Sequence, residues 1–194
     1  MSTVYLIAGC NGAGKTTASL TMLPEMLNCK EFVNADSIAV GISPFQPDTA
    51  FFEAGRVMLS RIEQLAKMRI DFAIETTLAS KNYLSRIRNF RDYGFEITLI
   101  YFWLNSPSLA IDRIRDRVKK GGHSIPDNIV IRRYFRGINN LFKYFIPLCD
   151  NWMVIDNSEE KPEIIAEGIK DSELDVFNDN IWNQIKNNYH EKQN

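Results

Sequence analysis

Gly9-Cys10-Asn11-Gly12-Ala13-Gly14-Lys15-Thr16 fills every fixed position of the phosphate-binding pattern G-x-x-x-x-G-K-[ST]. Its flanks have the context the pattern requires. Val4-Tyr5-Leu6-Ile7-Ala8 is a short apolar run suited to a buried parallel strand, and residues 17–27 read as a helix. A strand therefore feeds a loop that opens a helix. Glycines let such a loop turn tightly, so that successive N–H groups and the helix N-terminus converge on a polyphosphate. The nucleotide-binding set read from this stretch is Gly9, Asn11, Gly12, Ala13, Gly14, Lys15, Thr16 and Thr17. In it Lys15 reaches the β and γ phosphates and Thr16 holds Mg2+.

The chain has 194 residues, enough for one hydrophobic core with a modest lid, and residues 1–194 are expected to form a single domain. Hydrophobic content of 45% and charged content of 24% are those of an ordinary globular protein. A net charge of −1 speaks against a dedicated nucleic-acid or membrane-surface binder, so any anion site must be local. Cys10, Cys29 and Cys149 are odd in number and lack C-x-x-C spacing, which reads as free thiols in a reducing compartment. Cys10, inside the loop, reads first as an ordinary small loop residue, with oxidation sensitivity of the activity as the lesser alternative. Residues 97–104, the longest apolar run, have about half the length of a membrane-spanning helix. With no basic n-region at the N-terminus, a cytoplasmic protein is expected.

Residues 31–35 read as a second strand delivering Asp36 to the edge where open α/β sheets bind ligands. There Asp36 serves either chemistry or as the N-cap of a following turn. Phe51, Ala54, Met58, Ile62 and Leu65 recur at steps of three or four, giving a helix with one core-facing stripe. Asp71-Phe72-Ala73-Ile74 reads as a third strand, with Glu75-Thr76-Thr77 at its ligand edge. Glu75 is the candidate to position Mg2+ or its waters; bonding of substrate hydroxyls and a solvated strand end are the alternatives.

Residues 81–93 read as a helix ended by Gly94, and residues 96–104 as a fourth strand covered on both faces. The helix over 106–120 carries Arg113 and Arg117 four apart, a repulsive pair unless an anion or Asp112 and Asp116 satisfy it. Residues 119–126, KKGGHSIP, are basic, glycine-hinged and closed by proline, as a phosphate-covering lid would be. His123 in that segment either donates to a phosphate or sits exposed. The next helix, over 129–145, places Arg132 and Arg136 opposite its apolar stripe, so arginines flank the lid on both sides. Residues 152–155 read as a fifth strand with Asp156-Asn157-Ser158 at its ligand edge, near the adenine of a bound nucleotide. From Asp171 a terminal helix is expected, with Phe177, Ile181, Ile185 and Tyr189 on one face and fraying near His190.

As a set, AGCNGAGKTT, FVNAD, FAIETTL, RIRDRVKKGGHSIP, IRRYFRGINNL and DNS resemble the zeta toxin family of P-loop kinases, over about residues 3–168. The resemblance implies an α/β, three-layer P-loop kinase with a five-stranded, mainly parallel sheet in the order 2-3-1-4-5. A small helical lid over about 117–133 goes with it. It implies Asp36 as general base toward a sugar hydroxyl, and Glu75, Thr77 and His123 on the substrate side. Lys15, Arg117 and Arg132 would be catalytic, Arg133 would bind ATP, and Thr16 and Glu75 would serve the metal. ATP and Mg2+ are the implied cofactors, and the acceptor is implied to be a nucleotide-sugar such as UDP-N-acetylglucosamine. An antitoxin protein is the implied partner. The present chain is shorter than the larger toxins, which leaves the acceptor open. Two other classes fit the phosphate loop: a nucleotide-hydrolysing switch and a partner-binding protein that keeps the fold without the chemistry. N-K-x-D and L-S-G-G-Q are missing, which disfavours GTPase and ABC-type readings.

Overall fold

The computed structural model describes residues 1–172 and 174–190, with the side chains of Tyr189 and His190 outside the description. The apolar runs become strands buried on both faces: β1 (Thr3–Ala8), β3 (Phe72–Thr76), β4 (Glu96–Trp103) and β5 (Asn151–Asp156). With the two-residue β2 (Phe32–Val33) they form a parallel sheet in the order β2-β3-β1-β4-β5. Crossovers run through α1 (Lys15–Glu25), α2 (Ala35–Ile42), α3 (Phe51–Met68), α4 (Tyr83–Asp92), α5 (Pro107–Lys119) and α6 (Asp127–Asn140). Helices on both faces explain why the strands are nearly unbroken apolar runs.

Two features correct the sequence reading. The sheet among the described residues has seven strands, because β6 (Glu163–Ile169) and β7 (Leu174–Val176) add to β5 in antiparallel fashion. Once β5 ends, the chain turns back within residues 157–162 without a crossover helix, and a short return of that kind can only pair antiparallel. Only Ile165, Ala166 and Gly168 of β6 are buried while Ile164 and Ile169 are exposed, so this strand carries too little apolar signal to stand out. The terminal helix is also shorter than the expected 171–190: α7 runs Asp179–His190, with β7 occupying part of the span.

α7 docks through Trp182 and Ile185, both buried, whereas Phe177, expected on its apolar stripe, lies exposed ahead of the helix. Trp182 stacks on Trp152 of β5 at 5.8 Å between ring centroids and meets Phe142 at 5.3 Å. α6 ends earlier than the expected residue 145, passing into a wider turn over Leu141–Phe145 before a short turn at Ile146–Leu148 leads to β5. No described helix is long and apolar enough to cross a membrane.

Emptying the Trp182 site by Trp182→Ala costs about 3 kcal/mol or more. Thermal unfolding should show a lowered Tm, and amide exchange should rise first in residues 179–190.

Candidate active site

The phosphate loop closes over the C-terminal end of β1. Gly12 adopts φ 80°, and a Cβ there would lie 2.5 Å from the Ala110 carbonyl oxygen, so no other residue fits this approach to α5. Lys15, the first residue of α1, is buried and donates to the Cys10 carbonyl at 2.9 Å. Its Nζ also stands 3.5 Å from Glu75 Oε1. Thr16 donates its hydroxyl to Glu75 Oε2 at 2.7 Å. The end of β3 thus brings a carboxylate against the two phosphate-loop residues that follow the last glycine.

Asn34 completes this cluster, and the sequence reading passed over it. Its Nδ2 donates to Glu75 Oε2 at 2.6 Å, while its Oδ1 caps α2 by accepting from the Ser37 N–H at 3.0 Å. Because Asn34 is the cap, β2 stops at Val33 and Asp36 falls in the first turn of α2, not at a strand end or in a cap. A carboxylate there is favoured by the helix dipole. The available signal was an Asn two residues before a carboxylate at a helix start.

Arg113 resolves differently from either reading of its charge. Its guanidinium donates to the carbonyls of Asn157 and Ser158 at 2.7 and 2.9 Å, and Asn157 in turn donates to the Ala13 carbonyl at 2.8 Å. The DNS segment is therefore a strut from β5 to the phosphate loop. Asp112 pairs with Arg115 at 3.4 Å, but Asp116 pairs with Lys119 at 2.8 Å.

A chamber of about 700 Å³ opens over the loop, lined by Gly12, Gly14, Lys15, Thr16, Thr17, Asn11, Asp36, Glu75, Arg113, Arg117 and the lid glycines 121 and 122. Two clefts adjoin it. One, of about 290 Å³, is lined by Asn11, Asp36, Phe51, His123, Arg132 and Arg133 among others. The second, about 810 Å³, lies between Asn34, Asp36, Phe45, Asp48 and the lid residues Arg117 and His123. Asp36 lines all three. Thr77 lines none of them, and its hydroxyl accepts from the Ala79 N–H at 3.4 Å in a local turn.

Arg133 reaches back from α6 to donate to Asn11 Oδ1 at 3.0 Å. Burial pulls its pKa down and nearby Asp36 pulls it up, and a guanidinium so placed stays charged at neutral pH. Arg132 is exposed at the rim of the smaller cleft. Arg117 donates from Nη2 to the His123 carbonyl at 3.1 Å, while its buried Nε has no partner among the described residues. Lys15 and Arg117 thus line the phosphate chamber, Arg132 and Arg133 line the smaller cleft beside it, and Asp36 is common to both.

The residues present fit Mg2+. Thr16 Oγ1 and Glu75 are hard oxygen donors of the kind this ion takes. Mg2+ keeps several waters and is completed by substrate phosphates, so few protein ligands suffice.

This fold and this constellation define the class: a P-loop phosphotransferase of the kinase type. The chain belongs to the zeta toxin family, whose model matches residues 49–159. An uncharacterized protein of Haemophilus influenzae is 32% identical over 126 residues, covering 65% of this chain and 88% of that one. Among solved structures, the AvrRxo1-ORF1:-ORF2 complex with ATP contains a similar chain: TM-score 0.75, 15% identity, 95% of this chain covered. The present chain spans 63% of that chain's length. The PezAT toxin-antitoxin system of Streptococcus pneumoniae gives a TM-score of 0.66 at 14% identity, covering 98% of this chain and 87% of that one. At such identities the structural likeness establishes the fold.

Two outcomes follow from this geometry. Asn34→Ala removes a helix cap and a Glu75 partner together, so denaturant unfolding should show a loss of about 1–2 kcal/mol. Cys10 fits the ordinary loop residue and not the oxidation-sensitive one: it is 2% exposed, and burial pushes its thiol up to about 11 against a smaller opposing effect of Lys15. Cys29 and Cys149 are buried as well. Folded protein at pH 8 should therefore show almost no reaction with an aromatic disulfide reagent, and all three thiols should react on unfolding.

Proposed function

We propose that this chain transfers the γ-phosphoryl group of ATP, with Mg2+, to a hydroxyl of a small molecule, a nucleotide-sugar such as UDP-N-acetylglucosamine. The observation that carries the reading is the position of Asp36, which is shared by the phosphate chamber and by both clefts beside it. A base that accepts a hydroxyl proton must touch the acceptor while lying in line with the phosphate. Asp36 has that access, with its side chain 46% exposed.

In this scheme the loop amides and Lys15 bind the β and γ phosphates. Arg117, Arg132 and Arg133 converge on the transferring group, where charge spreads over its equatorial oxygens. Thr16 would hold Mg2+ directly, with Glu75 hydrogen-bonded to that hydroxyl; the bound ion supplies charge neutralisation at the phosphates. Asp36 takes the hydroxyl proton. Glu75 is engaged by Lys15, Thr16 and Asn34, which favours the metal side of its two assigned roles over direct contact with the acceptor. Thr77, away from the clefts, is assigned an indirect role, supporting the loop between β3 and α4.

The volumes of the adjoining clefts are of the size that holds a small organic ligand. Residues 1–194 are read as one domain, with residues 117–133 as its lid. Dependence on ATP and a reducing setting for three free thiols agree with work in the cytoplasm. The family, together with the two-protein complex of AvrRxo1-ORF1 and -ORF2 and the PezAT pair, supports a protein antitoxin as partner.

Mass spectrometry of purified protein with ATP, Mg2+ and a panel of nucleotide-sugars including UDP-N-acetylglucosamine tests the reading. A gain of about 80 Da on one acceptor, the mass of one transferred phosphoryl group, is expected. It should disappear with Lys15→Ala and fall by a factor of about 100 or more with Asp36→Asn. Full turnover in folded Lys15→Ala protein would refute the scheme, and ATP hydrolysis that no acceptor accelerates would favour the switch reading.

A further inference from the structure

The lid places its histidine against Asp36 and away from the phosphate chamber. Gly121, at φ 89°, and Gly122 turn the chain directly after α5. The Gly122 N–H donates to the Arg117 carbonyl at 3.0 Å, and the Arg117 guanidinium donates to the His123 carbonyl at 3.1 Å. Gly122 lies so close to Arg117 that a Cβ there would stand 2.6 Å from Arg117 Cγ. Arg117 and the glycine turn therefore clamp the backbone on both sides of residue 122. The result is a His123 side chain only 19% exposed, with Nε2 at 3.9 Å from Asp36 Oδ2. His123 lines both acceptor-side clefts, whereas the lining of the phosphate chamber includes Gly121 and Gly122 but not His123.

We propose that His123 is the positioning residue of Asp36, and this rests on the kinase reading above. Its Nε2–H donates to one carboxylate oxygen of Asp36, fixing the rotamer of that side chain so that the other oxygen faces the acceptor hydroxyl. The remaining gap of about 1 Å beyond a hydrogen bond is of the size that catalytic contacts lose when substrates are absent. A half-exposed aspartate in the first turn of a helix has several open rotamers, and a lid-borne donor removes that freedom only when the lid is down. The base is thereby aligned at the moment the chamber is covered. Around His123 stand Asp36 from α2, Asp48 from the turn before α3, Arg117 from α5 and Arg132 and Arg133 from α6. This assigns His123 to the base, in place of the phosphate contact or the exposed position that the sequence left open.

The test has two arms. In steady-state phosphorylation of UDP-N-acetylglucosamine, His123→Ala and His123→Phe should each lower kcat about tenfold to a hundredfold, with KM for ATP changed less than about twofold. His123→Gln, which restores a donor at a similar reach, should recover most of the loss. A raised KM for ATP with kcat intact would make His123 a phosphate ligand, and wild-type kcat in His123→Phe would leave it a space-filling residue; either overturns the proposal. The second arm needs no acceptor. Asp36→Ala should raise amide exchange severalfold across residues 118–126 in the nucleotide-free protein, and should add nothing in a His123→Ala background. Unchanged lid exchange in Asp36→Ala overturns the contact. Failure of the wild type to phosphorylate any acceptor would count against the kinase reading, and the exchange arm would then decide the contact by itself.

Discussion

One largely covered carboxylate holds the site together. Glu75 comes from the end of β3, yet its two oxygens are shared by Lys15 and Thr16 of the phosphate loop and by Asn34 at the start of α2. Side-chain exposures of 6% for Lys15 and 12% for Glu75 put this ion pair where neither charge has adequate water. A buried pair contributes little net stability, but removal of one member leaves an uncompensated charge at a cost of about 3–5 kcal/mol. The arrangement therefore specifies geometry more than it stabilises the fold. It fixes the register between the phosphate loop and the helix that carries Asp36.

The sheet supplies the frame for that cluster. β1 lies between β3 and β4, so its C-terminal loop is flanked by Glu75 on one side and by α5, following β4, on the other. β5 lies one strand further, and its Asn157 reaches the Ala13 carbonyl with Arg113 holding the loop in place. Chain segments more than 140 residues apart thus meet at a phosphate loop of eight residues. A parallel order with every C-terminal edge on one side is what makes such convergence possible.

α5, α6 and the turn between them form the other half of the site. α5 and α6 carry Arg113, Arg117, Arg132 and Arg133, but these cations do different work. Arg113 is spent on carbonyls of the neighbouring loop, Arg133 on Asn11, and Arg117 on the turn that presents His123. A row of arginines in a sequence does not say which of them is a strut. Only Arg117 keeps a buried guanidinium nitrogen without a partner among the described residues, and the residue also lines the phosphate chamber.

The phosphate loop, its flanking strand and helix, the five parallel strands and their order were legible in the sequence, the order through the family resemblance. Their signals are local: a glycine pattern that backbone geometry demands, and apolar runs whose length matches a buried strand. β6 and β7 were not legible, because antiparallel strands with one wet face carry little apolar contrast and depend on β5 being there to pair with. Asp36 and Glu75 could be picked out as carboxylates near the ligand edge, but not their settings. That Asn34 caps α2 and braces Glu75, that Arg113 is a strut, and that His123 turns to Asp36 and not to phosphate are contacts between distant segments. Sequence spacing fixes what lies on one helix or one loop; which groups meet across elements is decided by packing, and only the folded chain contains that information.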